Sequence, residues 1–424
     1  MIARHNDASV RMQRSYGTEL HCTQYIYLRK QILRVPPVPG VSGPAPGSLD
    51  PGFGHLAARS PQSWPWPGHT GAVNLERRLW LDAERQALAA EEKRPDLVVG
   101  VIGALVTTVP LAIGAVSGHR VLGLFCALGG LNVALALPPG TRVTRRRWGV
   151  VALVGSTTGV ALATAVSAAL WLTVLATLAW VAIWCLVRGV GIPAVGVGFV
   201  TCAVFIIVAG QPARLSDVPL RTAAYLLGGT VALALGVGVV RPTVGATTPN
   251  RMIPSGTLKL LVVPPGFARQ HAVRASLMVA VATLLYRLLH IPDGYWIPLA
   301  VIAVLQPDTT SGRTRAVQRA LGTMAGVVAA AAVITLTRSD AVLLVCVLLT
   351  SGGLFALKAR NYFWMVALLT PLVLLMLTVV RFSGLRIVGY RVADTLIGTA
   401  LALVVVEIWD RGEPIDSSTA PPSS

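Results

Sequence analysis

Twelve apolar stretches of membrane-spanning length lie between Leu97 and Val406, and they restrict the fold of this chain more than any other feature. A helix needs roughly 20 apolar residues to cross a hydrocarbon core about 30 Å thick. Charged residues are 13% of the sequence, well below the share of about 25% in soluble domains, and the mean hydropathy is +0.66. We therefore predict an all-α integral membrane protein with about twelve transmembrane helices and the lipid bilayer as its solvent.

The last six stretches repeat the first six in order. Two glycine pairs and two Arg–Gly pairs carry the clearest traces of this repetition. These residues are Gly155 and Gly159 with Gly322 and Gly326, and Arg221 and Gly228 with Arg391 and Gly398. Because each half has an even number of spans, the two six-helix repeats are predicted to be parallel and not inverted. Five glycines are predicted to be helix-packing positions, since glycine lets two membrane helices approach closely; they are Gly155, Gly159, Gly322, Gly326 and Gly398.

The composition divides the chain into six segments. They are a disordered segment rich in Pro, Gly and Arg (1–72), an amphipathic juxtamembrane helix (73–94), the first membrane repeat (95–242), a cytoplasmic linker (243–268), the second membrane repeat (269–410) and a disordered tail (411–424). A solvated helical linker is an equal alternative for 73–94. The sequence leaves open whether 1–72 belongs to the native protein.

The net charge of +18 does not indicate nucleic-acid binding, because the basic residues beyond residue 92 are unevenly divided between the two sides of the membrane: eighteen lie in the connections assigned to the cytoplasm and eight on the opposite side. By the positive-inside rule this places both termini in the cytoplasm. The five cysteines are odd in number and mostly within spans, which favours packing over a disulfide framework or a metal site. Nucleotide-binding, metalloprotease and hydrolase motifs are absent from the sequence. The chain is therefore predicted to be no enzyme and to need no cofactor.

Acidic residues are rare between Leu97 and Val406, so each one is a candidate for function. Those in short connections are interpreted as solvated loop residues; they are Asp217, Asp293 and Asp340. Asp394 lies within a span, three residues after Arg391 on one helix face. An ionisable residue in a membrane usually faces protein or water and marks a pathway, but an Arg391–Asp394 pair that anchors the helix explains the sequence equally well.

A second candidate group surrounds the predicted inner mouth of the second repeat. Gln306 and Asp308 are followed by basic residues, of which Arg319 lies deepest in a span. An arginine presents a fork of donors that matches a carboxylate, although positive-inside anchoring explains the shallower arginines. Thr370 precedes a proline that can kink its helix. Tyr295 and Trp296 can stack on an aromatic solute or belong to the interfacial belt.

These motifs resemble the fusaric acid resistance family, also called aromatic acid exporters. The residues that carry the resemblance are Tyr295-Trp296-Ile297-Pro298, Gln306-Pro307-Asp308, Arg319, Gly322-x-x-x-Gly326, Asn361-Tyr362, Thr370-Pro371 and Arg391-x-x-Asp394-x-x-x-Gly398. The resemblance implies a bacterial inner-membrane protein that exports small, often aromatic, organic acids with the proton gradient. The chain is also similar, more distantly, to the aluminium-activated malate channels. The better-known exporters carry sizeable cytoplasmic domains after each membrane half, whereas this chain has only a short linker and a short tail.

From the residues and the resemblance together, the predicted anion pathway comprises Arg319, Arg391, Asp394, Asp308, Gln306, Tyr295, Trp296, Asn361 and Thr370. The partners are the bilayer, small organic anions and protons, with a homo-oligomer left open. A passive organic-anion channel and a noncatalytic membrane scaffold of the cell envelope are the alternatives.

Overall fold

The computed structural model describes residues 96–188, 192–240, 266–305, 309–358, 361–381 and 386–410. The predicted segments 1–72, 73–94 and 411–424 lie outside the described residues, as does the linker up to residue 265.

The described residues form α-helices joined by short connections, with one 3₁₀ turn at Leu215–Asp217. The helices of the first half are α1 (Leu97–Val116), α2 (Arg120–Ala136), α3 (Arg142–Val166), α4 (Leu170–Arg188), α5 (Ile192–Ala209) and α6 (Val218–Gly238). Those of the second half are α7 (Gly266–Leu288), α8 (Trp296–Val304), α9 (Thr309–Leu336), α10 (Asp340–Leu357), α11 (Tyr362–Val380) and α12 (Arg386–Asp410).

Eight of these helices are long and apolar enough to cross a membrane: α1, α3, α4, α6, α7, α9, α10 and α11. Two more, α2 and α5, are apolar but shorter. Large apolar side chains such as Leu97, Val116 and Leu336 are exposed on the surface of the bundle, where a lipid environment accommodates them. The prediction of an all-α, multi-pass membrane protein is confirmed, whereas the number of spans stays a prediction.

Polar side chains cap the starts of α1 and α3. Asp96 accepts a hydrogen bond from Val99 N at the start of α1, and Thr141 accepts one from Thr144 N at the start of α3. These are N-caps, which satisfy amide groups that have no partner within the helix. Helix α3 begins at Arg142 and α9 at Thr309, earlier than the apolar stretches do. Arg319 therefore lies well inside α9 and not at its first turn.

The helices of the two halves pack in the same pattern. In each half the second helix packs on the sixth (α2 on α6, α8 on α12), and the third packs on the fifth (α3 on α5, α9 on α11). Between the halves the contacts are reciprocal, because α1 packs on α10 and α7 packs on α4. The first helix of each half thus packs on the fourth helix of the other.

Close backbone contact at glycine accompanies this pattern. A Cβ atom on Gly398 would lie 2.6 Å from the carbonyl oxygen of Ile297, and one on Gly228 would clash with the carbonyl oxygen of Cys126. Gly322 and Gly326 lie against the backbone of α11 in the same way. In the first half the neighbours of Gly155 and Gly159 are indole rings instead, those of Trp184 and Trp180.

Candidate functional site

A cavity of about 80 Å³ lies between helices of both halves. Its wall comes from the second and fifth helices of both halves, α2, α5, α8 and α11, and two further side chains reach it from α9 and α12. Small-molecule pockets usually measure roughly 300–1,000 Å³, so the cavity is narrow in this conformation. Both halves contribute to its wall, which places it at their junction.

Most of the cavity wall is apolar, and its polar side chains are few. They are Asn132, Gln211, Tyr295, Trp296, Arg319, Tyr362, Thr370 and Arg391. Five of these were predicted as pathway residues from the sequence: Arg319, Arg391, Tyr295, Trp296 and Thr370. The structure thus brings together side chains that lie up to 96 residues apart in the chain.

Arg391 lies against an aromatic ring in the cavity. Its guanidinium carbon is 3.8 Å from the centroid of the Trp296 ring, and its side chain is 5% exposed. A guanidinium over an indole face is attracted by the ring quadrupole, and more strongly when water is excluded. The Nη1 atom of Arg391 has no hydrogen-bond partner among the described residues. The contact therefore orients the charge without satisfying its donors.

Arg319 is the second buried cation of the cavity, also 5% exposed. Its Nη1 atom donates a hydrogen bond of 3.4 Å to the Tyr362 hydroxyl, while its Nε and Nη2 atoms lack partners within the described part of the chain. Arg315 stacks on the ring of the same tyrosine at 4.9 Å. Tyr362 thus holds one arginine through its hydroxyl and another through its ring, and Arg319 keeps two groups of donors for a ligand.

Asp394 is buried, at 1% exposure, but it does not line the cavity. In the described structure it forms no ion pair with Arg391 at the usual N–O separation of up to about 4 Å, and its Oδ2 atom has no hydrogen-bond partner there. The anchoring ion pair that the sequence left open is therefore not formed. A buried carboxyl without a partner is costly to ionise, because burial removes the water that stabilises its charge.

Of the other predicted residues, Thr370 lies in the cavity wall and Asn361 does not. Asn361 is outside the cavity wall and caps α11, where its Oδ1 atom accepts hydrogen bonds from Phe363 N and from Nε2 of Gln318. Thr370 is 2% exposed, and its hydroxyl has no partner in the described structure. Gln306 and Asp308 lie outside the described residues.

The first half holds a counterpart of Arg391 in a different electrostatic setting. The guanidinium carbon of Arg221 lies 5.1 Å from the centroid of the Phe125 ring, and its Nη2 atom pairs with Asp217 at 3.5 Å. Arg221 does not line the cavity. In the predicted alignment of the two halves, Ala152 corresponds to Arg319 and Ala224 to Asp394. The uncompensated cations of the cavity thus come from the second half alone.

Sequence reasoning missed Tyr362, Asn132 and Gln211 as cavity residues, and the last two bring polar groups from the first half to the cavity. A signal for Asn132 was present, because it is an amide within an otherwise apolar helix, and such residues in membranes commonly mark a functional site. Gln211 follows α5 in a connection, where a polar residue needs no special explanation. Within the described ranges, no group of three His, Cys, Asp or Glu side chains is placed to hold a metal ion.

Comparison with known proteins shows what most of the second half is similar to. Residues 280–405 match the family described as fusaric acid resistance protein-like. "Uncharacterized protein ORF2" of Neisseria gonorrhoeae is 30% identical over 184 residues, which are 43% of this chain and 42% of that protein. "Inner membrane protein YccS" of Escherichia coli is 33% identical over 141 residues, which are 33% of this chain and 20% of that protein.

"Uncharacterized protein YhfK" of Escherichia coli is 30% identical over 145 residues, which are 34% of this chain and 21% of that protein. The match spans less than half the length of each of these relatives. No solved structure matches the chain. Over residues 280–405 this multi-pass membrane protein therefore matches the fusaric acid resistance protein-like family, and the resemblance inferred from its motifs is confirmed.

Proposed function

We propose that this chain is an inner-membrane transporter that exports small organic anions, in particular aromatic carboxylic acids. One observation carries the proposal: Arg319 and Arg391 are both buried in one cavity, and neither forms an ion pair with a carboxylate of the described structure. A buried charge is normally paired. A ligand carboxylate supplies the missing charge and accepts the free donors of both side chains.

The rest of the cavity suits an organic anion better than an inorganic one. Leucine, valine, methionine and phenylalanine side chains form most of the wall, so a hydrocarbon group bound beside them leaves water at little cost. Tyr295 and Trp296 lie next to each other at the edge of the cavity, with ring centroids 4.8 Å apart. Together with the two arginines they suit an acid with an apolar or aromatic body.

The proposed scaffold has twelve spans arranged as two parallel repeats. The matching helix pairs within the halves, the reciprocal contacts between them, and the equivalent Arg221–Phe125 and Arg391–Trp296 contacts support this arrangement. Both termini are proposed to be cytoplasmic on the basis of the positive-inside rule. The name of the Escherichia coli relative YccS supports the inner membrane as the location.

Asp394 is the proposed site of proton coupling. It is an ionisable group one helical turn from Arg391 and is buried without an ion-pair partner in the described structure. A change in the charge of Asp394 alters the field at the anion site. We expect Asp394→Asn to abolish the dependence of flux on an imposed pH gradient while anion exchange between two equal solutions continues. Loss of both activities would remove Asp394 from coupling and assign it to folding or to anion binding.

A passive anion channel is the second candidate. It is favoured by the position of Asp394 outside the cavity wall, since an anion can then pass without meeting a proton carrier. The inside-negative potential drives an anion outward by about 2.3 kcal/mol per charge per 100 mV. Currents that persist without a pH gradient and are unaffected by Asp394→Asn would favour the channel.

Flux in proteoliposomes tests the main proposal. The full chain is reconstituted, and efflux of radiolabelled benzoate is compared for the wild type, Arg319→Ala, Arg391→Ala and Arg221→Ala. A hydrogen bond to a charged group contributes about 1.5–3 kcal/mol, so each cavity variant is expected to lose about tenfold or more in flux at low substrate. Arg221→Ala is the matched control, because its guanidinium lies outside the cavity and is paired with Asp217.

Folding of each variant is checked by size-exclusion profile. Arg391→Lys keeps the charge but lacks the planar stacking group, and it is expected to retain intermediate flux. Equal flux in the wild type and the three alanine variants would contradict the proposal.

A further inference from the structure

The side chain of Asn132 is a polar group of the cavity that the proposed carboxylate site leaves unused. It lies on α2, and no other side chain from Val121 to Leu137 carries an oxygen or nitrogen atom. In the packed bundle Asn132 is 8% exposed and forms part of the cavity wall. A single amide has thus been placed in an apolar membrane helix at the point where that helix meets the cavity.

The Nδ2 atom of Asn132 has no hydrogen-bond partner among the described residues. The side chain lies close to the phenol of Tyr225 on α6, whose hydroxyl likewise has no hydrogen-bond partner in the described structure. A buried donor without a partner costs about 1–3 kcal/mol, so an empty cavity leaves an unfavourable group that a ligand can satisfy. A ligand without a hydrogen-bonding group leaves this donor unpaired, so the same cost disfavours its binding.

Asn132 belongs to the first half, whereas Arg319 and Arg391 belong to the second. The cavity wall therefore combines a neutral amide on one side of the junction with two cations on the other. A ligand whose carboxylate is bound by the arginines directs its remaining part into the space that α2 and α5 help to line. Asn132 is the side chain of α2 that offers this part a hydrogen bond.

We infer that Asn132 is a specificity residue that recognises a hydroxyl group on the transported acid. This inference rests on the proposed function and deepens it, because it assigns the substrate class as carboxylates with a second, neutral hydrogen-bonding group. A hydroxyl both donates and accepts, so it matches either end of the amide. A second carboxylate is a poorer match, since the amide is neutral and the arginines attract that group instead.

The test compares two acids of equal size, hydroxyphenylacetate and methylphenylacetate with the substituent at the same ring position. Efflux from proteoliposomes and thermal stabilisation of the purified full chain are measured for both acids. The wild type is expected to prefer the hydroxylated acid about three- to tenfold, as one neutral hydrogen bond allows. Asn132→Leu is expected to lose this preference, so that the ratio of the two fluxes falls from about three- to tenfold towards one.

Thr107→Val is the control variant. Thr107 is also fully buried with an unpartnered hydroxyl in the described structure, but it lies on α1 outside the cavity wall. This variant is expected to keep the preference of the wild type. Asn132→Leu should fold, because it replaces an unsatisfied amide with an apolar side chain of similar size.

The experiment distinguishes a failure of the proposed role of Asn132 from a failure of the transporter proposal. An unchanged preference in Asn132→Leu, in flux or in thermal shift, overturns the role of Asn132 and leaves the transporter proposal intact. A wild type that moves neither acid contradicts the transporter proposal. In that case a thermal shift that favours the hydroxylated acid and disappears in Asn132→Leu still supports recognition by this residue, and the lack of such a shift overturns it.

Discussion

The guanidinium carbon of Arg391 lies 3.8 Å from the centroid of the Trp296 ring, and the first half holds the equivalent contact between Arg221 and Phe125 at 5.1 Å. In both halves the arginine belongs to the sixth helix and the aromatic residue to the second. The residue after each aromatic ring, Ile297 or Cys126, is the one whose carbonyl oxygen touches the paired glycine. The two contacts therefore occupy the same place in the two halves, but only the second faces the cavity.

Replacement of Trp296 tests whether this contact orients Arg391 for anion binding. A cation–π contact contributes about 0.5–2 kcal/mol, so Trp296→Leu is expected to raise the substrate concentration for half-maximal flux between about twofold and thirtyfold. Trp296→Phe keeps an aromatic face, so its substrate concentration for half-maximal flux should lie between those of the wild type and Trp296→Leu. Phe125→Leu makes the same change outside the cavity and should leave this concentration unaltered. A similar rise in both leucine variants would indicate a general packing defect.

Close packing at Gly326 makes a prediction about stability. A Cβ atom there would lie 2.7 Å from Cδ of Pro371 and 2.8 Å from the carbonyl oxygen of Ala367, whereas one on Gly352 would lie 3.6 Å from its nearest neighbour, Cβ of Ala104. Overpacking costs typically about 1–3 kcal/mol. We therefore expect Gly326→Ala to lower the melting temperature in detergent and Gly352→Ala to change it little or raise it. The opposite order would show that α11 moves aside at little cost.

The sequence predicted the class of this fold well and the cavity only in part. Apolar length identifies membrane helices because every buried backbone group must be satisfied within the helix. Arg319 and Arg391 could be predicted since an ionisable residue in a span is costly and therefore conspicuous. Asn361 shows the limit of a motif: it follows the family pattern, but its side chain caps a helix.

The sequence could not predict which helices distant in the chain pack against each other. Whether Arg391 reaches the ring of Trp296 depends on the rotation of α12 against α8, and the two helices are in close contact at Gly398. The contribution of α2 to the cavity depends likewise on contacts between the halves. Apolar periodicity cannot specify these contacts, because a lipid-facing and a helix-facing leucine are equally apolar.

Arg120 joins the two halves at one end of the bundle. Its Nη2 atom pairs with Oδ2 of Asp340 at 2.6 Å, and its Nη1 atom donates to the carbonyl oxygen of Val379 at 2.6 Å. An ion pair this exposed contributes about 0–1 kcal/mol, so Asp340→Asn is expected to shift the melting temperature little. Arg120→Ala also removes the bond that joins α2 to α11, and it should cost more. Equal shifts in the two variants would show that the Val379 bond adds no stability.

Lys358 predicts how stability depends on pH. It follows the last residue of α10 and donates a hydrogen bond of 3.0 Å to the carbonyl oxygen of Ala134 in the last turn of α2. Burial, and then the positive charge of Arg145, lower the pKa of Lys358 from 10.5 to about 8, against the opposing effect of Asp96. The folded state therefore disfavours the charged form relative to the unfolded chain.

The sign of the effect follows from these two pKa values. Below pH 8 the lysine is protonated in both states, and the folded protein carries the full cost of its charge. Between about pH 8 and 10.5 the unfolded state binds more protons, so the stability contributed by this residue rises with pH. Melting curves of the solubilised wild type, Lys358→Met and Lys358→Arg across this range measure the effect. The increase of stability with pH should be smaller in Lys358→Met, which has no charge to lose, and in Lys358→Arg, which stays charged throughout. If stability rises equally with pH in all three proteins, the pH dependence belongs to other groups.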